Sequence, residues 1–399
     1  MTPNETLLLA LLVIFALPWA LWRLWGKITL PLVVVQIVGG ILLGPGVFGA
    51  VAPGLHGEIF TPQVIASLNA LGLWAVTVFV FIAGLELDIS EALANRRETV
   101  TAAGFALGVP LVLGTLAGGV LLQTEGWMGA AGHPWQTALG IGMACAVTAL
   151  PILILFLDQL DLLRRPLGQR ILRYASLDDI AIWAVLALIL LDWTRVSRQL
   201  GFVLILLTLS PLVRRLVPRL RPTDRWPVAL VWMIALAFVS DWAGLHFMVG
   251  AFLAGAVLEA RWFDVTRVDR LREAWLLVMM PVFFLSTGLR TGFQAGGWVV
   301  LAAALLLLVA SVGGKLLGVW LAGRQLGWGR ETWVIGWLLQ TKALIMIIFA
   351  NILLDKEIIS PAAFTALLLM AVGSTVLTMP VVTRLLSRPD LSRHRDAVK

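Results

Sequence analysis

Apolar residues run through this chain in blocks of about twenty, the helix length that crosses ~30 Å of hydrocarbon. Short stretches rich in charge, glycine or proline separate the blocks. The pattern predicts thirteen spans, near 6–25, 30–49, 63–83, 99–122, 136–157, 170–191, 199–217, 227–241, 244–260, 273–289, 297–322, 332–354 and 361–385. At ~20 residues each they take up roughly 260 positions, and what remains is short loops and a tail. The expected fold class is an all-α polytopic membrane protein with no separate soluble domain. The first block lacks a basic start and a small-residue cleavage pattern, so it reads as a retained helix and not a signal peptide.

Composition agrees with the pattern. Hydrophobic residues make up 60% of the 399 positions and charged residues 13%, whereas soluble domains are near half apolar and a quarter charged. Lys and Arg collect on the cytoplasmic side of membrane proteins. With the N-terminus outside, the inner loops hold Arg96 and Arg97, Arg164 and Arg165, Arg214 and Arg215, Arg261 and Arg267, and the tail from Arg384 onward. The outer loops keep only Arg195, Arg198, Arg290 and Lys356. That alternation needs an odd number of spans and places the C-terminus in the cytoplasm, under a cell (inner) membrane. The net charge of +7 then reflects topology and contact with anionic lipid, and not nucleic-acid binding. The single cysteine, Cys145, cannot form an intramolecular disulfide. His56, His133, His246 and His394 all fall away from the middle of a span, which argues against haem or zinc, and no cofactor is expected.

Spans seven apart share glycine spacing. Val38-Gly39-(x4)-Gly44 in the second matches Val249-Gly250-(x4)-Gly255 in the ninth. Val78-Phe79 with Gly84-Leu85 in the third matches Val282-Phe283 with Gly288-Leu289 in the tenth. An odd offset means that the two copies cross the membrane in opposite directions. The expectation is an inverted repeat of spans 1–6 and 8–13, a pattern of secondary transporters whose sites lie near mid-membrane. The same offset pairs span 5, with Val147-Thr148-Ala149-Leu150-Pro151 at its middle, and span 12, with Gln340-Thr341-Lys342 at its centre. Both are read as broken helices at corresponding positions of the two halves, a pointer to a binding site; an ordinary proline kink is the alternative for span 5.

Two adjacent carboxylates, Asp178 and Asp179, stand in span 6. They could cap the helix at the interface. The apolar run after them, Ile180 to Leu191, is too short for that, since at ~1.5 Å per residue it covers roughly 18 Å of a ~30 Å core. The span must start earlier and draw both acids inside. Two buried neighbouring acids cannot both stay ionised unless a cation is bound or a basic group is close. That chemistry suits exchange, because one carboxylate can hold either a metal cation or a proton. Lys315, behind Gly313 and Gly314 in span 11, is the expected partner, with snorkelling to the interface as the alternative. Lys342 is read as offsetting negative half-helix ends and could itself be the partner of Asp178. Glu86, Asp88, Asp192, Asp241 and Glu259 lie near span ends and read as solvated interfacial charge.

These residues carry a family resemblance. VGGILLGPGVFG, FIAGLELD, AVTALPIL through SLDDIAIW, PVFFLSTGLRT and GGKLLG follow one another as in the monovalent cation:proton antiporter-2 family, which the chain resembles over nearly its whole length. The resemblance implies exchange of Na⁺ or K⁺ for protons by alternating access, in a homodimer. It implies a dimerisation domain at 1–97 and 226–295, a mobile core at 98–192 and 296–399, and a linker helix at 193–225. It also implies that Asp179 carries ion and proton, that Asp178 pairs with Lys315, and that Thr148 is a site residue, with Thr341 and Lys342 at the helix crossing. Many members have arginine where Lys342 stands, often followed by Gly-Glu, whereas Ala343 and Leu344 follow here. A sodium-coupled symporter of an organic anion is the competing transport reading. An intramembrane protease would draw its two acids from different helices, so no enzyme is expected.

Overall fold

Pro18, Pro110, Pro211, Pro227 and Pro380 lie inside helices that run on unbroken, whereas two other apolar blocks each divide into two helices around buried polar residues. A computed structural model describes residues 2–24, 32–85, 96–163, 165–191, 196–289 and 297–387. Among the described residues the chain is helical apart from one isolated bridge between Met128 and Ile359. The first part contains α1 (Pro3–Leu24), α2 (Leu32–Leu43), two short helices α3 (Phe48–Val51) and α4 (Pro53–Ile59), α5 (Pro62–Leu85) and α6 (Arg96–Leu121). The middle contains α7 (Pro134–Ala146), α8 (Leu150–Gln159), α9 (Pro166–Ile189), α10 (Val196–Leu216), α11 (Pro222–Trp242) and α12 (Phe247–Val257). Then follow α13 (Val265–Val278), α14 (Met280–Gly288), α15 (Gly297–Leu326), α16 (Glu331–Leu338), α17 (Ala343–Asp355) and α18 (Pro361–Leu386).

Among the described residues, 7 helices are long and apolar enough to cross a membrane by length and composition. They are α1, α5, α6, α10, α11, α15 and α18. The other expected spans are shorter, interrupted or polar. Span 5 is α7 plus α8, and span 12 is α16 plus α17. The stretch 273–289, expected as one span, is instead the end of α13 and all of α14, which meet at Met279. Pro281 stands in the first turn of α14, where its missing N–H costs no helical hydrogen bond. α9 is long enough at 24 residues, but it carries Arg170, Arg173 and both aspartates. It begins at Pro166, so Asp178 lies near its middle and not at its cap.

The helices pack in two groups. In one, α6 lies against α7, α9 and α15, and α15 against α16 and α18. In the other, α5 lies against α12 and α14, α12 against α11, and α14 against α2. α10 turns Leu200, Leu204, Leu207 and Leu212 outward, a face suited to hydrocarbon. The second group is held by a close crossing of α5 and α12. A Cβ on Gly84 would sit 2.1 Å from the Phe252 carbonyl oxygen, and one on Gly255 would sit 2.1 Å from that of Phe81. Only glycine lets two backbones approach this far.

Gly84→Ala and Gly255→Ala should each cost about 1–3 kcal/mol by forcing the helices apart, read as a lower melting midpoint in detergent. Gly104→Ala, whose Cβ would meet nothing within 4 Å, should keep or raise the midpoint through helix propensity alone. Equal melting of all three variants would contradict the close crossing.

Candidate functional site

A helix that stops inside hydrocarbon leaves carbonyl and N–H groups that water cannot reach. Here α7 stops at Ala146 and α8 resumes at Leu150, while α16 stops at Leu338 and α17 resumes at Ala343. The first break begins at Val147, whose extended backbone ends α7. The residues of both breaks, Val147 to Ala149 and Leu339 to Lys342, are buried. They satisfy one another. Lys342 Nζ donates to the carbonyls of Cys145 (2.6 Å) and Val147 (3.0 Å), the negative end of α7. In return the Ala149 N–H donates to the Thr341 carbonyl at 2.7 Å, and Thr148 Oγ1 lies 2.7 Å from the Leu339 carbonyl. The N–H of Lys342 donates to Thr375 Oγ1 on α18 at 3.2 Å. Thr341 contributes its carbonyl to the crossing, while its hydroxyl donates to Leu338 O at 3.0 Å.

Asp178 enters this crossing from α9 and Lys315 from α15. Their exposures are 1% and 0%, and Lys315 Nζ stands 2.9 Å from Asp178 Oδ2. Of the two glycines before Lys315, Gly314 allows the approach, since a Cβ there would sit 2.6 Å from Pro110 Cα of α6; at Gly313 it would meet nothing within 4 Å. Lys315 therefore pairs in the interior and does not snorkel, and Lys342 is committed to helix ends. Asp179 follows in the same helix; its side chain lies outside the described atoms.

Thr148 is placed between two acceptors. Its hydroxyl is 2.6 Å from Asp178 Oδ2 and 2.7 Å from Leu339 O. It has one proton to give, and a peptide carbonyl can only accept. Both contacts are hydrogen bonds together only when Asp178 carries a proton and donates it to Thr148. When Asp178 is ionised, the hydroxyl serves either the carboxylate or Leu339, and the other acceptor is released. Asp178 Oδ1 is buried and has no partner among the described residues.

Contacts that sequence reading did not find lie to either side of the crossing. At the end where α6, α9 and α16 begin, Arg170 binds Glu98 and Glu331, each at 3.0 Å. Tyr174 donates to Glu98 at 2.5 Å and stacks on Trp328. Towards the opposite end, α9 and α17 meet the group of α12 and α14 through the following side chains among those described. Trp183 of α9 stacks on Phe252 of α12 with ring centroids 4.7 Å apart. His246 Nε2 stands 3.4 Å from Asp355 Oδ2, and Asn351 Nδ2 donates to Thr287 Oγ1 at 3.2 Å. Of the residues read as interfacial, Asp241 is exposed and Glu259 binds Arg214 at 2.7 Å and Arg261. Glu86, Asp88 and Asp192 lie outside the described residues.

This architecture has known counterparts. Residues 9–388 match the family model described as "Sodium/hydrogen exchanger, transmembrane". The chain is 28% identical to the Na(+)/H(+) antiporter NhaS4 of Synechocystis over 97% of its own length and 99% of that protein's. It is 28% identical to Cation/H(+) antiporter 17 of Arabidopsis thaliana, where it covers 88% of its own length and 45% of the plant protein's, about half. Among solved structures, the sodium proton antiporter MjNhaP1 of Methanocaldococcus jannaschii superposes with a TM-score of 0.60 over 96% of this chain and 100% of that one, at 14% identity, a likeness of fold. The match along nearly the whole chain makes it a transporter and not an enzyme, and it belongs to the sodium/hydrogen exchanger family of monovalent cation/proton antiporters.

Proposed function

We propose that this protein exchanges a monovalent cation, Na⁺ or K⁺, for protons by alternating access, with Asp178 and Asp179 as the acidic groups of the site. One observation carries this reading. Asp178 is buried at a crossing of two broken helices, with one oxygen on Lys315 and Thr148 and the other unpartnered among the described residues. A carboxylate so placed is neutralised by a proton, a cation or an ammonium. When Asp178 is ionised and Thr148 turns to it, the Leu339 carbonyl is left as a ligand for a cation. The hydrogen bonding of Asp178 and the supply of a cation ligand beside Asp179 are thereby linked.

Relatives named for both ions leave the choice of cation open: the K(+)/H(+) antiporter 1 of Saccharomyces cerevisiae and the Na(+)/H(+)-K(+) antiporter GerN of Bacillus cereus. Asp179 is assigned as the exchanging group and Asp178 as the anchor for Lys315 on the family pattern. The domain division, with 98–192 and 296–399 as core, rests on the resemblance and draws support from the packing of α6 against α7, α9 and α15. An inverted repeat is supported by the packing, while the count of thirteen spans rests on block length in the sequence. α2 lies on α14 as α12 lies on α5, and these pairs exchange under the seven-span offset. A homodimer in contact with anionic lipid, with N-terminus outside and C-terminus cytoplasmic in the cell membrane, completes the reading. It rests on the resemblance and on the distribution of basic residues.

In liposomes holding an imposed proton gradient, addition of Na⁺, Li⁺ or K⁺ should dissipate the gradient, and Asp179→Asn should abolish the response. Gradients unaffected by all three cations, or an active Asp179→Asn variant, would overturn the reading. The two lysines should also separate. Lys315→Ala leaves a buried carboxylate without its ammonium, a loss of about 3–5 kcal/mol, and should displace the pH profile of transport. Lys342→Met should lower thermal stability by uncapping α7, with recovery in Lys342→Arg. A Lys315→Ala profile that superposes on the parent's would contradict the assigned pairing.

A further inference from the structure

Gln340 stands in the second break, between Leu339 and Thr341, with 0% exposure. Its Nε2 donates to Ser311 Oγ at 2.9 Å, and Ser311 Oγ in turn donates to the Cys145 carbonyl at 2.9 Å. Ser311 has one proton, and the carbonyl can only accept. Ser311 therefore meets the amide as an acceptor, and this fixes the amide orientation: the NH₂ faces Ser311, and Oε1 faces away from it. Oε1 is buried and has no hydrogen-bond partner among the described residues. An acceptor left so in a low-dielectric interior is costly unless a positive group meets it.

Asp178 Oδ1 is in the same condition. The two side chains are held one helical turn apart on α15, Asp178 by Lys315 and Gln340 by Ser311. Residues spaced four apart on a helix have Cβ atoms about 5–6 Å apart. Thr148 joins Asp178 to Leu339, the residue before Gln340. The side chains that carry the two unpartnered oxygens are thus anchored one turn apart on α15 and tied to adjacent residues of the crossing, with Lys315 taken up by the other oxygen of Asp178. A pair of oxygens of this kind, neither with a proton donor, fits a hard monovalent cation. An amide oxygen is a neutral ligand of the sort that such cations accept. It adds no charge, so it can influence which cation is preferred while the carboxylates set the proton count. The number and strength of such dipoles govern selectivity in ion sites.

We propose that Gln340 Oε1 is a ligand of the transported cation and a determinant of selectivity, acting with Asp178 and anchored by Ser311. This rests on the exchange reading above, and the test separates the two. Apparent KM values for Na⁺, Li⁺ and K⁺ are measured at one pH in liposomes for the parent, Gln340→Leu, Gln340→Asn and Ser311→Ala, with melting midpoints alongside. Gln340→Leu should raise the KM for the preferred cation by about tenfold or more and change the ratios among the three cations. It should still exchange at saturating cation. Ser311→Ala, which frees the amide from its anchor, should move the ratios in the same direction by less. A folded Gln340→Leu protein with the parent's KM values and ratios would overturn the proposal and leave exchange itself standing. So would a uniform rise in all three KM values, the mark of a structural amide or one that holds only water. If the leucine variant does not fold, Gln340→Asn decides: its shorter stem withdraws the oxygen, so unchanged ratios overturn the proposal. A parent protein that exchanges none of the three cations overturns the underlying reading, and this proposal with it.

Discussion

Two helices that stop in mid-membrane must find partners for the groups they expose, and in this protein each supplies them to the other. Lys342, from the break between α16 and α17, covers the carbonyl end of α7. The break between α7 and α8 returns a backbone N–H and a threonine hydroxyl to the carbonyls of Thr341 and Leu339. Neither break is stable in hydrocarbon alone, since every unmet peptide group there costs several kcal/mol. Reciprocal capping makes the pair viable. It also fixes where the polar interior of the molecule can be, and α9, α15 and α18 bring Asp178, Lys315 and Thr375 to that place.

Division of labour between the two lysines follows from this constraint. Lys342 answers partial charges of the backbone, so it belongs to the scaffold of the crossing. Lys315 answers a full charge that can be removed by a proton. Thr148 links the two systems, because its one proton is shared between a helix-end carbonyl and a carboxylate. The Thr148 hydroxyl thus stands within hydrogen-bond reach of both the Asp178 carboxylate and the Leu339 carbonyl that follows α16. The contacts from α9 and α17 to α12 and α14 lie where a shift of one helix group against the other would break them.

Much of this was legible in the sequence. Block length pointed to an all-helical membrane protein, of which 7 described helices are long and apolar enough to cross a membrane, and the shortness of the apolar run after Asp179 placed the acids inside a helix. Pro151 pointed to the first break, which begins at Val147. The second break has no proline, and only the misplaced polarity of Gln340-Thr341-Lys342 pointed to it. Pro281 lies within the stretch 273–289, but proline alone does not mark a division, since Pro18, Pro110, Pro211, Pro227 and Pro380 sit inside unbroken helices. What sequence could not give is the set of partners. Ser311 meets Gln340, His246 meets Asp355 and Arg170 meets Glu98 and Glu331 only because separate spans are packed side by side, and no periodicity encodes such distances. The adjacent glycines 313 and 314 likewise look equivalent in sequence, and only one faces α6.

At the centre of the account is a buried carboxylate site that trades a proton for a cation. The most direct measurement is proton release by purified protein in weakly buffered detergent solution when Na⁺ or K⁺ is added, against choline as control. The account predicts a saturable release of protons on addition of the transported cation, lost in Asp179→Asn. Saturable cation binding with no proton released, or release that persists unchanged in that variant, would contradict it.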